Sequence, residues 1–262
     1  EIGLWQGIFE KYGIDLQTTE FVAGINTIDA VVNGTADIGM MADYAAVNRL
    51  GNTLDATNLQ IFSQISGGQS ALSGGLYVDP KYADDPKSLD GSAGFMYQEG
   101  TVTYYYASKC IEYLGLDESK QNLINTDSSQ TRLALIQKGG ASAVYANGSE
   151  AKYIEEAGWV QVATSQEIGI QTGSYFLSTD KYISENTDTL AKFLQAVDES
   201  TQYINDHLDE SAEYLADKLG LKAEDFKENW KNYSFEPGFS EEATTHLEDI
   251  EKWGFEHGSF PK

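Results

Sequence analysis

The sequence predicts an α/β protein of two lobes with a helical C-terminal part, and three patterns indicate this class. Short apolar strands alternate with amphipathic helices from residue 14 to residue 178. A strand–turn–helix–strand pattern occurs twice, around 14–39 and around 92–125. Such a unit implies a parallel sheet with right-handed crossovers. From Tyr182 onward the apolar residues keep helical spacing only.

The first pattern predicts one edge of a ligand site. A strand is predicted over Ile14–Val22, a helix over 25–32 and a short buried strand over 36–39. In parallel sheets, ligands bind beyond the carboxyl ends of the strands. The turns at 23–26 and 40–44 are therefore predicted to lie at the mouth of a site.

The second pattern predicts another ligand-facing edge. Strands are predicted at 92–97, 121–125, 141–145 and 159–163, with helices between them. Thr101 is a good N-cap for the first of these helices. The free N–H groups at that helix start could bind an anion or a carbonyl oxygen. The turns at 98–101 and 145–150 are therefore predicted to face the ligand.

Charge and composition exclude several classes of protein. Asp and Glu number 41 against 17 Lys and Arg, which gives a net charge of −24 at pH 7. Phosphate backbones and anionic membrane surfaces would be repelled, so nucleic acid is a poor partner. No apolar run approaches the roughly 20 residues of a membrane span. Cys110 is the single cysteine, and its helical pattern predicts a small buried side chain.

The sequence lacks the motifs of common catalytic sites. His207, His246 and His257 are the three histidines. None has a neighbour at metal-ligand spacing, and none falls in a predicted ligand-facing turn. There is no Gly-x-Ser-x-Gly elbow, no Walker loop and no Gly-x-Gly-x-x-Gly. We therefore predict a binding protein that uses no metal or cofactor.

The candidate ligand contacts lie at or beside the predicted turns, and most of them are polar or aromatic. They are Asn26, Thr27, Met41, Asp43, Tyr44, Gln69, Ser70, Tyr97, Gln98, Glu99, Gly100, Thr101, Tyr145, Asn147 and Ser149. Asp43 is predicted to cap a helix over 43–50 that ends at Gly51, and a ligand-facing carboxylate is the alternative. Each tyrosine could equally pack in the core. Arg49 and Arg132 are the only arginines, so anion capture by backbone N–H groups, or a ligand that is not a strong anion, is favoured.

Several segments resemble the solute-binding proteins of ABC importers for nitrate, alkanesulfonates, taurine and thiamine-type pyrimidines. They are Gly-Ile-Phe-Glu-Lys-Tyr-Gly-Ile-Asp (7–15), Phe-x-Ala-Gly-x-x-x-Ile-Asp-Ala-x-x-Asn-Gly-x-Ala-Asp-Ile-Gly (21–39), Lys-Ser-Leu-Asp-Gly (87–91), Gln-Glu-Gly-Thr (98–101) and Ala-Leu-Ile-Gln-Lys-Gly-Gly-Ala-Ser-Ala (134–143). The resemblance covers most of residues 7–200. The order and spacing of these segments are fairly specific for the superfamily and poorly specific for the ligand. Ser142 departs from the pattern, because related proteins carry an Asp there.

The resemblance implies a bilobed type II periplasmic-binding-protein fold, with two parallel-type α/β lobes around a ligand cleft. Residues 1–84 and 173–262 would form lobe 1, and residues 85–172 would form lobe 2. Hinge closure near 79–86 and 172–178 would capture a small organic anion of the sulfonate, taurine or nitrate type. The implied partners are a membrane permease and its ATPase, and the protein is expected to be a monomer. The implied location is extracytoplasmic, either periplasmic or as a cell-surface lipoprotein, and we expect a further strand and loop before Glu1.

Three alternatives stay open. The ligand could be a thiamine-precursor pyrimidine, because Glu99 and Glu150 would suit ring nitrogens and amino groups. The same superfamily includes pyrimidine synthases, which would need a reacting histidine and a bound cofactor. A ligand-sensing domain of the same fold is the third alternative.

Overall fold

The computed structural model describes residues 1–21, 24–68, 74–91, 94–99, 101–220, 222–231, 234–235 and 237–261, without the side chains of 25, 54–56, 68, 149 and 229. The chain forms two compact units, Glu1–Gly68 with Gly173–Lys262, and Gln69–Thr172. In chain order the elements are α1 (Ile2–Trp5), α2 (Ile8–Lys11), α3 (Gly24–Val32), β1 (Gly39–Ala42), α4 (Asp43–Thr57), β2 (Leu59–Gly68), β3 (Gly74–Val78), β4 (Phe95–Tyr97), α5 (Val102–Tyr113), β5 (Leu123–Asn125), α6 (Ser129–Gln137), β6 (Ala143–Asn147), α7 (Gly148–Glu156), β7 (Val160–Thr164), α8 (Ser165–Ile168), β8 (Thr172–Thr179), α9 (Asp180–Glu185), α10 (Thr187–Asp206), α11 (Leu208–Leu219), α12 (Ala223–Trp230) and α13 (Glu241–Glu256).

The first unit surrounds a small sheet with helices. Among the described residues this sheet has three strands in the order β1-β8-β2. β1 and β8 pair antiparallel, with Gly39 opposite Leu177. The apolar face of α3 packs Ile28 and Val31 against Leu59 and Leu177, and all four side chains are buried. Burial of these branched side chains holds the helix on the sheet.

Three element predictions for the first unit are wrong, and the first is the strand over 36–39, which lies at 39–42 instead. No strand forms over the described residues 14–21, because 17–21 are exposed and the alternation of apolar residues stops after Leu16. The predicted helix end at Gly51 is also wrong, since α4 continues to Thr57. A Cβ atom on Gly51 would lie 2.5 Å from Cγ of Phe260. Gly51 therefore permits close packing of that ring and does not end the helix.

The second unit carries the sheet β5-β4-β6-β3-β7. β4 pairs parallel with β5 and with β6, whereas β3 pairs antiparallel with β6 and with β7. The second predicted strand–helix–strand pattern is therefore confirmed. All five residues of β3 are buried, as expected for a strand covered on both faces. Met96, Val144, Ile154 and Trp159 belong to the core of this unit.

The C-terminal part is helical, as predicted. In α10 the residues Leu190, Phe193, Ala196 and Ile204 are buried at helical spacing. Phe193 packs edge-on against Phe176 of β8, with ring centroids 5.0 Å apart. No helix within the described ranges is long and apolar enough to cross a membrane.

Candidate functional site

The start of α5 in the second unit is an ordered cluster of hydroxyl and amide groups. The Thr101 hydroxyl accepts a hydrogen bond from the Thr103 backbone N–H at 3.3 Å, so the predicted N-cap is confirmed. The same hydroxyl lies 2.8 Å from the Gln98 carbonyl oxygen. The Gln98 N–H in turn donates to Thr103 Oγ1 at 2.8 Å. These bonds fix the turn that leads from β4 into the helix.

Arg132 lies buried beside this turn, with 5% of its surface exposed. Its Nη1 donates to Glu150 Oε1 at 2.6 Å, and its Nε donates to Thr126 Oγ1 at 3.0 Å. Its Nη2 reaches Gln98 Oε1 at 3.4 Å. The guanidinium is thus already paired within the protein. It does not offer a free bidentate clamp for an anion.

Arg49, the other arginine, is paired as well. Its Nη2 donates to Asp29 Oδ1 at 2.7 Å in the first unit. Both members of that pair are partly exposed.

The predicted tyrosines of the second unit have different surroundings. Tyr97 is half-buried and packs on Tyr104 with ring centroids 4.7 Å apart. Burial, and then the nearby Glu99 carboxylate, raise the pKa of Tyr97. Tyr145 is buried, its hydroxyl lies 2.9 Å from Ser165 Oγ, and burial raises its pKa to about 12. Tyr97 is therefore the more accessible of these two predicted contacts.

The remaining predicted contacts of the second unit lie at its turns. Glu99 is exposed, and its backbone N–H donates to Asn125 Oδ1 at 3.0 Å. Asn147 occupies the N-cap position of α7 without a capping side-chain bond. Gln69, Ser70, Gly100 and the side chain of Ser149 lie outside the described residues.

The first-unit contacts predicted near α3 and β1 are mostly engaged in the fold. Asn26 is exposed, whereas Thr27 Oγ1 lies 2.8 Å from the Gly24 oxygen and 2.9 Å from the Met40 oxygen. Met41 is buried in the cluster that contains Ile28. Thr27 therefore ties α3 to β1, which fixes the turn between them.

Asp43 forms a buried network with two distant segments. Its carboxylate is 2% exposed and its Oδ2 accepts from the Gly173 N–H at 2.9 Å and from His246 Nε2 at 2.7 Å. The prediction that Asp43 is an N-cap is wrong by one residue, because Ala42 holds that position without a side-chain bond. Tyr44, the next residue, is buried with its ring centroid 5.9 Å from that of Trp253.

His246 contacts the candidate residue Asp43, although it lies in α13 and in no predicted ligand-facing turn. The two partners are 203 positions apart, so local spacing could not reveal the pair. The only sequence signal was that Ala243, His246, Ile250 and Trp253 share the buried face of α13.

The described residues offer no site for a bound metal or a reactive thiol. Among them, no group of three or more His, Cys, Asp or Glu side chains could hold a metal ion. Cys110 is fully buried, and burial raises the pKa of its thiol. A protonated, inaccessible thiol is a packing residue, as the sequence predicted.

The chain is similar in fold to several proteins of known structure. The periplasmic aliphatic sulphonate binding protein SsuA from Escherichia coli is 17% identical with a TM-score of 0.76, covering 100% of this chain and 85% of that chain. The alkanesulfonate-binding protein SsuA from Xanthomonas axonopodis pv. citri, bound to MOPS, is 14% identical with a TM-score of 0.70, covering 100% and 90%. The desulfurization enzyme DSZB is 12% identical with a TM-score of 0.62, covering 100% and 89%. At such identities the likeness establishes the fold, which is that of periplasmic binding proteins.

No curated protein matches the sequence. The family model described as "NMT1/THI5 like" matches residues 3–211, which is most of the chain. This match agrees with the segments at 7–15, 21–39 and 134–143 that carry the resemblance. The protein therefore belongs to the NMT1/THI5-like family.

Proposed function

We propose that this protein is the extracytoplasmic solute-binding component of an ABC importer and captures a small organic anion of the sulfonate type. Family membership and the shared fold of two sulfonate-binding proteins support the proposal. A permease and its ATPase would receive the ligand. Capture by closure of the two predicted lobes is part of the proposal.

The observation that carries this function is the capped start of α5. Backbone N–H groups in the first turn of a helix lack partners within the helix, and the helix dipole favours negative charge there. The bonds among Gln98, Thr101 and Thr103 hold this turn in place before a ligand arrives. The Thr103 and Tyr104 N–H groups are held by the hydroxyl and the carbonyl oxygen of Thr101, so the turn is ordered in advance and an anion gains from the helix dipole without the cost of ordering a loop.

The charge of the protein limits how the anion is held. The chain carries −24, and the guanidinium of Arg132 is already paired with Glu150. We therefore assign recognition mainly to backbone N–H groups and neutral side chains.

A thiamine-precursor pyrimidine is the second candidate ligand. The family model that matches the chain favours it, and so does the ring pair of Tyr97 and Tyr104, whose centroids lie 4.7 Å apart. Aromatic rings pair well with a flat heterocycle, and a carboxylate such as that of Glu99 accepts hydrogen bonds from amino groups.

We propose ligand binding without catalysis, although a desulfurization enzyme shares the fold. A catalytic histidine must reach the reacting atoms of a substrate. His246 is 6% exposed, and its Nε2 is bound to Asp43. We assign this pair to the stability of the first unit.

A thermal-shift panel on refolded protein, from which any carried-over ligand has been removed, tests the proposal. The panel compares alkanesulfonates, taurine and nitrate with aminopyrimidines. A ligand at 100 times its Kd adds about 2.7 kcal/mol of stability, which raises Tm by several degrees at this size. A shift with sulfonates supports the first candidate, and a shift with pyrimidines alone supports the second. No shift with either class refutes both.

Two matched cap variants locate the site. Thr101→Ala and Thr179→Ala each remove a threonine N-cap, of α5 and α9 respectively. Each should lower stability by about 1 kcal/mol. Only Thr101→Ala should also reduce the ligand-induced shift, because it loosens the proposed donors. Equal ligand shifts in both variants would place the site elsewhere.

A further inference from the structure

We infer that the buried Arg132 is a positioning residue that presents one donor and one acceptor to the ligand, Gln98 Nε2 and Glu150 Oε2. The ligand it selects would carry an amino group close to its anionic group, as a 2-aminoalkanesulfonate does. This inference rests on the proposed function, and it names the protein atoms that select the ligand.

The first step is that the guanidinium cannot move freely. Arg132 donates to Thr126, Glu150 and Gln98 from three different nitrogen atoms. Thr126 is itself 1% exposed, and both its hydroxyl and its N–H bind the carbonyl oxygen of Tyr97, at 2.7 and 2.8 Å. The planar guanidinium of Arg132 is therefore held in place at the end of β4.

The second step concerns the orientation of the Gln98 amide. Its Oε1 faces Nη2 of Arg132 at 3.4 Å, so its NH2 group points away from the guanidinium. Within the described residues this NH2 group has no protein acceptor. The backbone of Gln98 is held by Thr101 and Thr103. A half-buried residue with a fixed backbone and a fixed amide oxygen thus offers a preset donor.

The third step concerns Glu150. Its Oε1 accepts from Arg132 Nη1 at 2.6 Å, and among the described residues its Oε2 has no partner. The side chain is 24% exposed and lies in the first turn of α7, where the helix dipole stabilises negative charge. Glu150 therefore offers a fixed, negatively charged acceptor.

The fourth step combines the two groups. One guanidinium binds both side chains, so the donor and the acceptor belong to the same small patch. A sulfonate oxygen could accept from Gln98, but the carboxylate of Glu150 would repel a plain sulfonate. An ammonium or amino group beside the sulfonate reverses this repulsion and supplies a charge-assisted hydrogen bond. The patch consequently favours a ligand with both groups.

The test compares three ligands of nearly equal size by titration calorimetry on refolded wild-type protein: taurine, isethionate and ethanesulfonate. These carry an amino group, a hydroxyl group and a hydrogen atom, respectively, at the same position. We expect taurine to bind at least about tenfold more tightly than the other two, which corresponds to about 1.4 kcal/mol. Equal affinities for taurine and ethanesulfonate would overturn the inference and leave the proposed function standing. No binding of any sulfonate would reject both.

Glu150→Gln is the decisive variant, because glutamine keeps the size of the side chain and one acceptor oxygen for Arg132. The preference for taurine should fall to within about twofold of ethanesulfonate, since the charge-assisted bond is lost. Asp29→Asn changes the other arginine pair in the same way and should leave the preference unchanged. Arg132→Lys keeps the positive charge but loses the planar guanidinium and its several donors, so it should also reduce the preference for taurine. An unchanged preference in Glu150→Gln would refute the assignment, even if Arg132→Lys fails to fold.

Discussion

Replacing Asp43 with alanine should destabilise the protein far more than its single negative charge suggests. The carboxylate is buried and accepts N–H bonds from β8 and from α13, at 2.9 and 2.7 Å. A hydrogen bond to a charged group contributes about 1.5–3 kcal/mol, and removal leaves the donors of Gly173 and His246 buried without partners. The expected loss is therefore about 3–5 kcal/mol of the free energy of unfolding.

Urea unfolding followed by circular dichroism measures this loss, and Asp29→Ala is the matched control. Asp29 pairs with Arg49 where 47% and 29% of the two side chains are exposed. Its removal should cost at most about 1 kcal/mol. Hydrogen exchange at the Gly173 amide should also accelerate in Asp43→Ala. Equal losses in the two variants would show that the Asp43 network does not hold the first unit together.

Three further predictions concern packing and ionisation. Gly51→Ala should lower stability by about 1–3 kcal/mol, because its Cβ would meet the ring of Phe260. The control is Gly139→Ala at an exposed position, where the added Cβ meets no atom within 4 Å and any loss of stability comes only from the positive φ of the residue. Burial raises the pKa of Tyr145 to about 12 and also raises those of Tyr77 and Tyr175, so stability should fall as the pH rises from about 10 towards the folded-state values. Ultraviolet titration should then show a class of tyrosines that ionise late, and the absence of that class would contradict the burial argument. Hydrogen bonds from the Thr164 N–H and hydroxyl lower the pKa of Glu167. The stabilising effect of the Glu167 carboxylate is therefore lost as the pH falls through its folded-state pKa. Nuclear magnetic resonance should find this pKa closer to normal in Thr164→Ala.

Much of the second unit could be predicted from sequence, because its elements are short and strictly periodic. The strands ending at Tyr97, Asn125 and Asn147 alternate with helices, and parallel pairing follows from that order. The Thr101 cap was also visible, since a hydroxyl residue precedes an apolar helical pattern.

The first unit was harder to predict because long-range contacts decide it. Ile14 and Leu16 alternate as in a strand, yet both pack on the Phe9 and Phe193 cluster without joining the sheet. Gly51 carries the local signal of a helix end, but the ring of Phe260 explains it. In both cases a local sequence pattern was explained by contacts between residues far apart in the sequence.

The candidate site shows the same limit. Spacing in the sequence cannot reveal that Glu150 pairs with the guanidinium of Arg132. The contact between His246 and Asp43 is equally hidden in the sequence, because the two residues are 203 positions apart. Residue types identified the candidates, but the pairing of charges depends on the fold.

The first unit is built from two separate segments of the chain, and this affects how the protein folds during synthesis. Its sheet needs β8 between β1 and β2, so the pairing partner of Gly39 emerges from the ribosome 138 residues later, as Leu177. The second unit is one continuous segment and can fold as soon as Thr172 has emerged. Until then the edges of β1 and β2 stay open to wrong pairing with other chains. The nascent protein should therefore depend most on chaperones between the synthesis of β2 and that of β8.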